Sequence, residues 1–265
     1  MPPTNRHAPE TPNATGVERT IAILECLDTT RRGLNISEVS RKIKIPKSSA
    51  HVLMVTLERV GYVRRAPNGR DFVLDLKAYA LGQRMAKTIS IAAVAMPHMQ
   101  TLAGAVGMCA HLAALDHDQG LFIQKANPAG TSQFDTYVGR RMDLHCTSLG
   151  KVLLAFSPPE STEHILSKKV FAHYTTKSIT SGPELRREIS RVKAAGYSTD
   201  DEEEEIGTRC VAVPVIHEGV RFLAALSVSG NNLQMQAVDF KELLLRLKQC
   251  SRAIVAEDVS LPTLW

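Results

Sequence analysis

The chain has 265 residues, 44% of them hydrophobic and 22% charged, with a net charge of +5. That length allows one large domain or two ordinary ones, each able to bury a core. No apolar run approaches the roughly 20 residues of a membrane span, and five scattered cysteines without a C-x-x-C pair argue for a reduced cytoplasm over a disulfide framework or a zinc ribbon.

The charge is unevenly placed. Residues 1–88 carry 15 Lys/Arg against 8 Asp/Glu, and the remainder 17 against 19. A basic third joined to a slightly acidic body is the footprint of nucleic-acid binding at one end only. Residues 1–15, rich in Pro, Thr and Asn, read as a disordered tail. A first helix is predicted over 17–30, with Val17, Ile21, Leu24 and Leu27 on one stripe. Ser37 is a suitable N-cap for a second helix through Ile43, and Pro46 suits the first turn of a third.

On a wheel, that third helix puts Ala50, Leu53, Leu57 and Val60 on its core face. Lys47, Ser48, His51, Val52, Val55 and Arg59 lie opposite. Lys47 and Arg59 suit phosphate, Ser48 and His51 suit phosphate or base edges, and the valines suit thymine methyls. A solvated amphipathic helix is the plainer alternative. A hairpin follows, 62–65 against 72–74, around Pro67-Asn68-Gly69, with Arg64, Arg65 and Arg70 near its tip. Two helices, a turn and a hairpin make a winged helix-turn-helix, whose second helix fits a major groove.

A helix over 74–88, with Leu76, Tyr79, Ala80 and Gln83 as a packing face, reads as a linker. A helix over 91–106 is apolar nearly all round. Strands are then predicted at 109–116, 121–126 and 133–138, helices at 147–156, 161–166 and 183–195, and strands at 209–216 and 221–229. A long helix over 239–257 closes the chain, with Phe240, Leu243, Leu244, Leu247 and Ile254 inward. The acidic run 200–205 reads as a solvated loop. The fold class is α+β with a mostly antiparallel sheet, and no internal repeat is present.

Four segments carry a resemblance. Ile45-Pro46-Lys47-Ser48-Ser49-Ala50-His51 with 56–63 looks like a recognition helix and wing entry, and 139–145, 150–155 and 196–215 follow in order. Over about 17–255 the chain resembles the IclR family of bacterial transcription regulators. The resemblance implies a winged helix-turn-helix over 16–75, a linker helix over 76–90, a GAF-like effector-binding domain over 91–258 and a tail over 259–265. It also implies a homodimer, often a dimer of dimers, on palindromic double-stranded DNA, with Ser49 joining the DNA-facing set. Val52 departs from the family's usual Arg, and Asp143 from a usual Pro.

Carried over residue by residue, the effector site would use Thr131, Phe134, Met142, Ser148, Leu149, Asp200, Cys210, Ser227 and Ser229. Physical reading adds Gly150, where a ligand could approach the backbone, and an anion site at the helix start Ser148-Leu149-Gly150. Ser227 and Ser229, two apart on a strand, share a face. The expected effector is a small hydroxy-, keto- or aromatic carboxylic acid. Two further readings are a hydrolase with Cys210 or Cys146 as nucleophile beside His145, and a DNA-bending protein. No elbow motif surrounds either cysteine, and bending leaves the acidic body without a task. His111, His145 and Cys146 lack metal-ligand spacing. No catalytic residue, metal or cofactor is expected.

Overall fold

In the computed structural model, residues 16–30, 32–86, 90–129, 135–168, 170–217 and 221–257 are described. The chain divides into two compact units, 1–88 and 89–265. Predicted tails at 1–15 and 259–265 lie outside the described residues.

The first unit holds α1 (Gly16–Asp28), α2 (Ile36–Lys42), α3 (Lys47–Arg59), β1 (Val63–Arg65), β2 (Phe72–Leu74) and α4 (Leu76–Ala86). Asn35, not Ser37, caps α2: its side chain accepts from Glu38 N–H, and the Glu38 carboxylate accepts from Asn35 N–H, both at 3.0 Å. The turn into α3 puts Lys44 at φ 55°, a left-handed conformation on a non-glycine residue. Pro46 is the N-cap of α3, one position ahead of the expected first turn. In the wing, Asn68 Oδ1 accepts from the N–H groups of Arg70 and Asp71, and Gly69 takes φ +68°. A small core of Ile23, Leu27, Val39, Ala50, Met54, Leu57, Val63 and Phe72 joins these elements.

Several predicted faces shift. On α1, Val17 and Ile21 are exposed, Leu27 is buried as expected, and Ile23 and Cys26 join it. On α3, Val60 is exposed and Met54 takes the core position. Helix α4 leaves Leu76, Tyr79, Leu81 and Met85 exposed, so its predicted packing face is uncovered in the single chain.

The second unit holds α5 (Ser90–Val106), β3 (Cys109–Asp116), β4 (Gln119–Ala126), β5 (Arg141–Met142), α6 (Ser148–Phe156), α7 (Pro159–Leu166), α8 (Gly182–Ala195), β6 (Ser198–Asp201), β7 (Thr208–His217), β8 (Arg221–Asn231), α9 (Asn232–Gln236) and α10 (Phe240–Ala256). The six strands run in the order β5-β4-β3-β8-β7-β6, and every described pairing is antiparallel. One sheet face, including Leu112, Val213 and Leu226, buries against Ile91, Met99 and Leu102 of α5 and Leu243, Leu247 and Ile254 of α10. On the other face, Ala113, Phe122, Ala212 and Ala225 meet Leu149, Val152 and Leu153 of α6 and Leu185 and Ile189 of α8.

Three expectations change here. Residues 135–138 are not a strand; the edge strand is Arg141–Met142, and 133–134 lie outside the described residues. Phe240 is exposed, its ring edge-on to Tyr197 at 5.6 Å. The acidic run is not one solvated loop: 198–201 is strand β6, with Asp200 and Glu203 buried.

Candidate functional site

The first unit presents a basic face. Lys47, Ser48, His51, Val52 and Arg59 on α3 are exposed, with Val52 at 63%, and Ser49 is half-buried. Arg64, Arg65 and Arg70 are exposed on the wing. Arg65 is already engaged: its Nε lies 3.1 Å from Glu58 Oε1, and its guanidinium sits 4.5 Å over the Phe72 ring. Arg64 lies 3.7 Å from Asp75. Of the predicted DNA-facing cations, Lys47, Arg59 and Arg70 make no ion pair among the described residues.

In the second unit, strand register builds a polar floor beside α6. Cα partners across an antiparallel sheet place their side chains on one face. Cys109, Ser229, Cys210 and Asp200 are successive partners across β3, β8, β7 and β6. One step along lies a second row, Lys125, His111, Ser227, Ala212 and Ser198. The next step is apolar, with Phe122, Ala113, Ala225 and Pro214, and α6 covers that part. The polar rows end where α6 begins: Ser198 Oγ donates to the Ser148 carbonyl.

The floor is polarised. At the β6 side, Asp200 is 3% exposed and its Oδ1 accepts from Glu203 N–H at 2.8 Å. Burial, with help from Glu203 and Glu204, pushes its carboxyl up to about 7. Burial also raises Glu203 and Glu204. Lys151, fully buried on α6, meets Glu203 at 2.6 Å and Glu188 at 3.4 Å. At the β3–β4 side, His111 is 2% exposed; its Nε2 lies 2.9 Å from Thr136 Oγ1 and its Nδ1 3.4 Å from Ser229 Oγ. Burial first, then the charges of Lys125 and Arg140, hold this imidazole neutral, down to about 3. Between the two ends, Ser227 Oγ is buried with no hydrogen-bond partner among the described residues.

Of the expected effector residues, Asp200, Cys210, Ser227 and Ser229 come together on this floor. Met142 and Leu149 belong to the apolar packing beside it. Ser148 and Gly150 open α6, but Gly150 N–H is taken by Thr147 Oγ1 at 3.0 Å. A Cβ at Gly150 would collide with the Leu144 backbone, so protein, not open space, faces this glycine. Thr131 and Phe134 lie outside the described residues. His111 was not among the expected effector residues; strand register brings it opposite Ser227.

The cysteines are unsuited to nucleophilic work. Burial and the acids around it push the Cys146 thiol far up, and burial does the same to Cys210, the reverse of activation. His145 Nε2 donates to the Ala172 carbonyl at 2.8 Å, and its ring packs on Phe171.

Two family models match the chain: the IclR helix-turn-helix domain over 16–67, and the bacterial transcriptional regulator IclR C-terminal domain over 83–256. The regulator KdgR of Escherichia coli is 30% identical over 92% of this chain and 93% of its own. KdgR of Dickeya chrysanthemi is 31% identical over 91% of this chain and 79% of its own. Among solved structures, an IclR homologue from Microbacterium hydrocarbonoxydans complexed with 4-hydroxybenzoate is 26% identical, with a TM-score of 0.79, covering 91% of this chain and 98% of that one. The Thermotoga maritima IclR is 27% identical with a TM-score of 0.70, covering 91% and 97%. A basic helix-turn-helix, a sheet with a buried polar floor and relatives that are regulators and not enzymes lead to one assignment: the chain belongs to the IclR family of bacterial transcriptional regulators, with a DNA-binding helix-turn-helix and a C-terminal effector domain.

Proposed function

We propose that this regulator senses a small hydroxy-, keto- or aromatic carboxylic acid and, in the cytoplasm, binds a palindromic operator as a dimer or dimer of dimers. The observation that carries the effector reading is the two-row polar floor, buried and with Ser227 Oγ unpartnered among the described residues. Buried polar groups find partners in native structures, and a ligand that supplies one gains the whole of that satisfaction. The 4-hydroxybenzoate held by a structural relative belongs to the same ligand class. For DNA, Lys47, Ser48, Ser49, His51, Val52, Arg59, Arg64, Arg65 and Arg70 form the contact set, and the uncovered apolar face of α4 supports self-association.

The test is DNA binding followed against salt, using the region upstream of the chain's own gene. Phosphate contacts make log K fall linearly with log salt, and Lys47→Ala should flatten that slope by about 1. Sedimentation of the complex should give two or four chains per site. A salt-independent affinity, or one chain per site, would overturn the corresponding part of the reading.

A further inference from the structure

The outward stripe of α3 has an apolar middle. Ser48, Val52, Val55 and Arg59, spaced i, i+4, i+7 and i+11, run along the side of the helix opposite Ala50, Met54 and Leu57, which enter the core of the head. Val52 is 63% exposed and Val55 38%, so both stand outside that core. A β-branched residue also lowers the propensity of the helix that carries it, with no burial here to offset the loss. Thr56, beside Val52, donates its hydroxyl to the Val52 carbonyl at 2.8 Å and so turns it toward the helix's own backbone. Lys47 opens α3 and Arg59 closes it. The face therefore has a cation at each end and methyl groups between them.

We propose that Val52, with Val55 one turn on, is a specificity-determining residue that reads the 5-methyl group of thymine in the major groove. The inference rests on the operator reading above and deepens it, by naming the base that the middle of the helix selects. Each base pair shows the major groove a set of hydrogen-bond donors and acceptors, and thymine adds a methyl group. A valine side chain has neither donor nor acceptor, so it cannot read guanine or adenine by bonding. Against a thymine methyl it removes apolar surface from water on both partners. Against the polar edge of a G·C pair it strips water from groups it cannot bond, which is a cost. Attraction and penalty thus select the same base. Lys47 and Arg59, at the two ends of the helix, suit phosphates, which fix register and carry no sequence information.

The same chemistry extends to one modified base. 5-Methylcytosine carries its methyl at the ring position where thymine carries its own. A stripe that rejects plain cytosine therefore accepts the methylated form, and methylation at that position raises affinity.

The test uses the full chain and the duplexes it enriches from a random DNA pool. Each thymine of the enriched half-site is replaced in turn by deoxyuridine, which pairs as thymine does and lacks only the methyl. At one thymine per half-site for each valine, affinity should fall about fourfold, the factor that burying one methyl group corresponds to. Val52→Ala should abolish the drop at one of these thymines and Val55→Ala at the other. Both should leave the salt slope unchanged, since neither removes a phosphate contact. Both positions are exposed and alanine is the stronger helix former, so the variants keep the head folded. Cytosine at the Val52 thymine should weaken binding, and its 5-methylation should recover about fourfold. Deoxyuridine without effect at every thymine, or a drop of equal size in Val52→Ala, overturns the methyl reading while leaving DNA binding intact. A Val52→Ala variant that changes the number of chains per site and keeps the methyl dependence shows that the valines cover another copy, and overturns it too. A pool from which the wild type enriches nothing removes the operator reading itself, and the inference with it.

Discussion

Asp200 and His111 are two buried titratable groups perturbed in opposite senses, and their pH linkages oppose each other. His111 falls from 6.5 to about 3, so below pH 6.5 the unfolded chain binds a proton that the folded chain refuses, and stability drops as pH falls. Asp200 rises from 3.8 to about 7, so in that range the folded chain holds a proton the unfolded chain has lost, and stability grows as pH falls. Between about pH 4 and 6.5 the two slopes nearly cancel. Each single variant should unmask the other group. Relative to wild type, Asp200→Asn should lose stability as pH falls through that window, and His111→Gln should gain it, each by up to about 1.4 kcal/mol per pH unit. Urea unfolding at three pH values reads this directly, and slopes of the same sign would show that the two groups are not independent opposites. At this scale the sequence was only partly readable. The two-residue spacing that puts Ser227 and Ser229 on one face was legible; that His111 joins them was not, because it depends on pairing with a strand more than a hundred residues away.

The elements were readable wherever periodicity and caps were strong, as for α3, α6 and α10. They failed where local chemistry misled. Strand β6 was hidden in an acidic run, since carboxylates are usually solvated and only its pairing with β7 turns Asp200 inward. Helix α1 was only half read: apolar residues lie on more than one of its faces, and contact with the rest of the head keeps Leu24 and Leu27 but adds Ile23 and leaves Val17 and Ile21 exposed. The turn between α2 and α3 offers a test of local strain. Lys44 holds φ 55° there, with Ile45 N–H bonded to the Ser40 carbonyl and Ser40 Oγ donating to the Ile45 carbonyl. A left-handed non-glycine residue costs about 1–2 kcal/mol, and glycine returns part of that gain through its freer unfolded state. Lys44→Gly should therefore stabilise the head by about 0.5–1 kcal/mol, seen as a raised melting temperature. A lowered one would mean that the lysine side chain contributes more than its backbone costs.

At the scale of the whole molecule, the fold class was accessible from the order of predicted elements, and the division into a basic head and an acidic body from charge alone. What pattern could not supply was how the body might inform the head. One modest contact bears on that. Gln124 of β4 sits beside Lys125 of the polar floor, next to the register shift that separates Leu112↔Gln124 from Ala113↔Phe122. Its Nε2 donates to the Ala92 carbonyl at 3.0 Å, in the first turn of α5, close to where the chain passes from one unit to the other. The register shift bends the strand locally. That amide ties the strand carrying Lys125 to the helix with which the second unit begins. Gln124→Ala should bind effector acid with wild-type affinity yet fail to alter DNA affinity when the acid is added, a separation of sensing from response that paired calorimetry and DNA titration would expose. A variant that still responds in full would place the relay elsewhere.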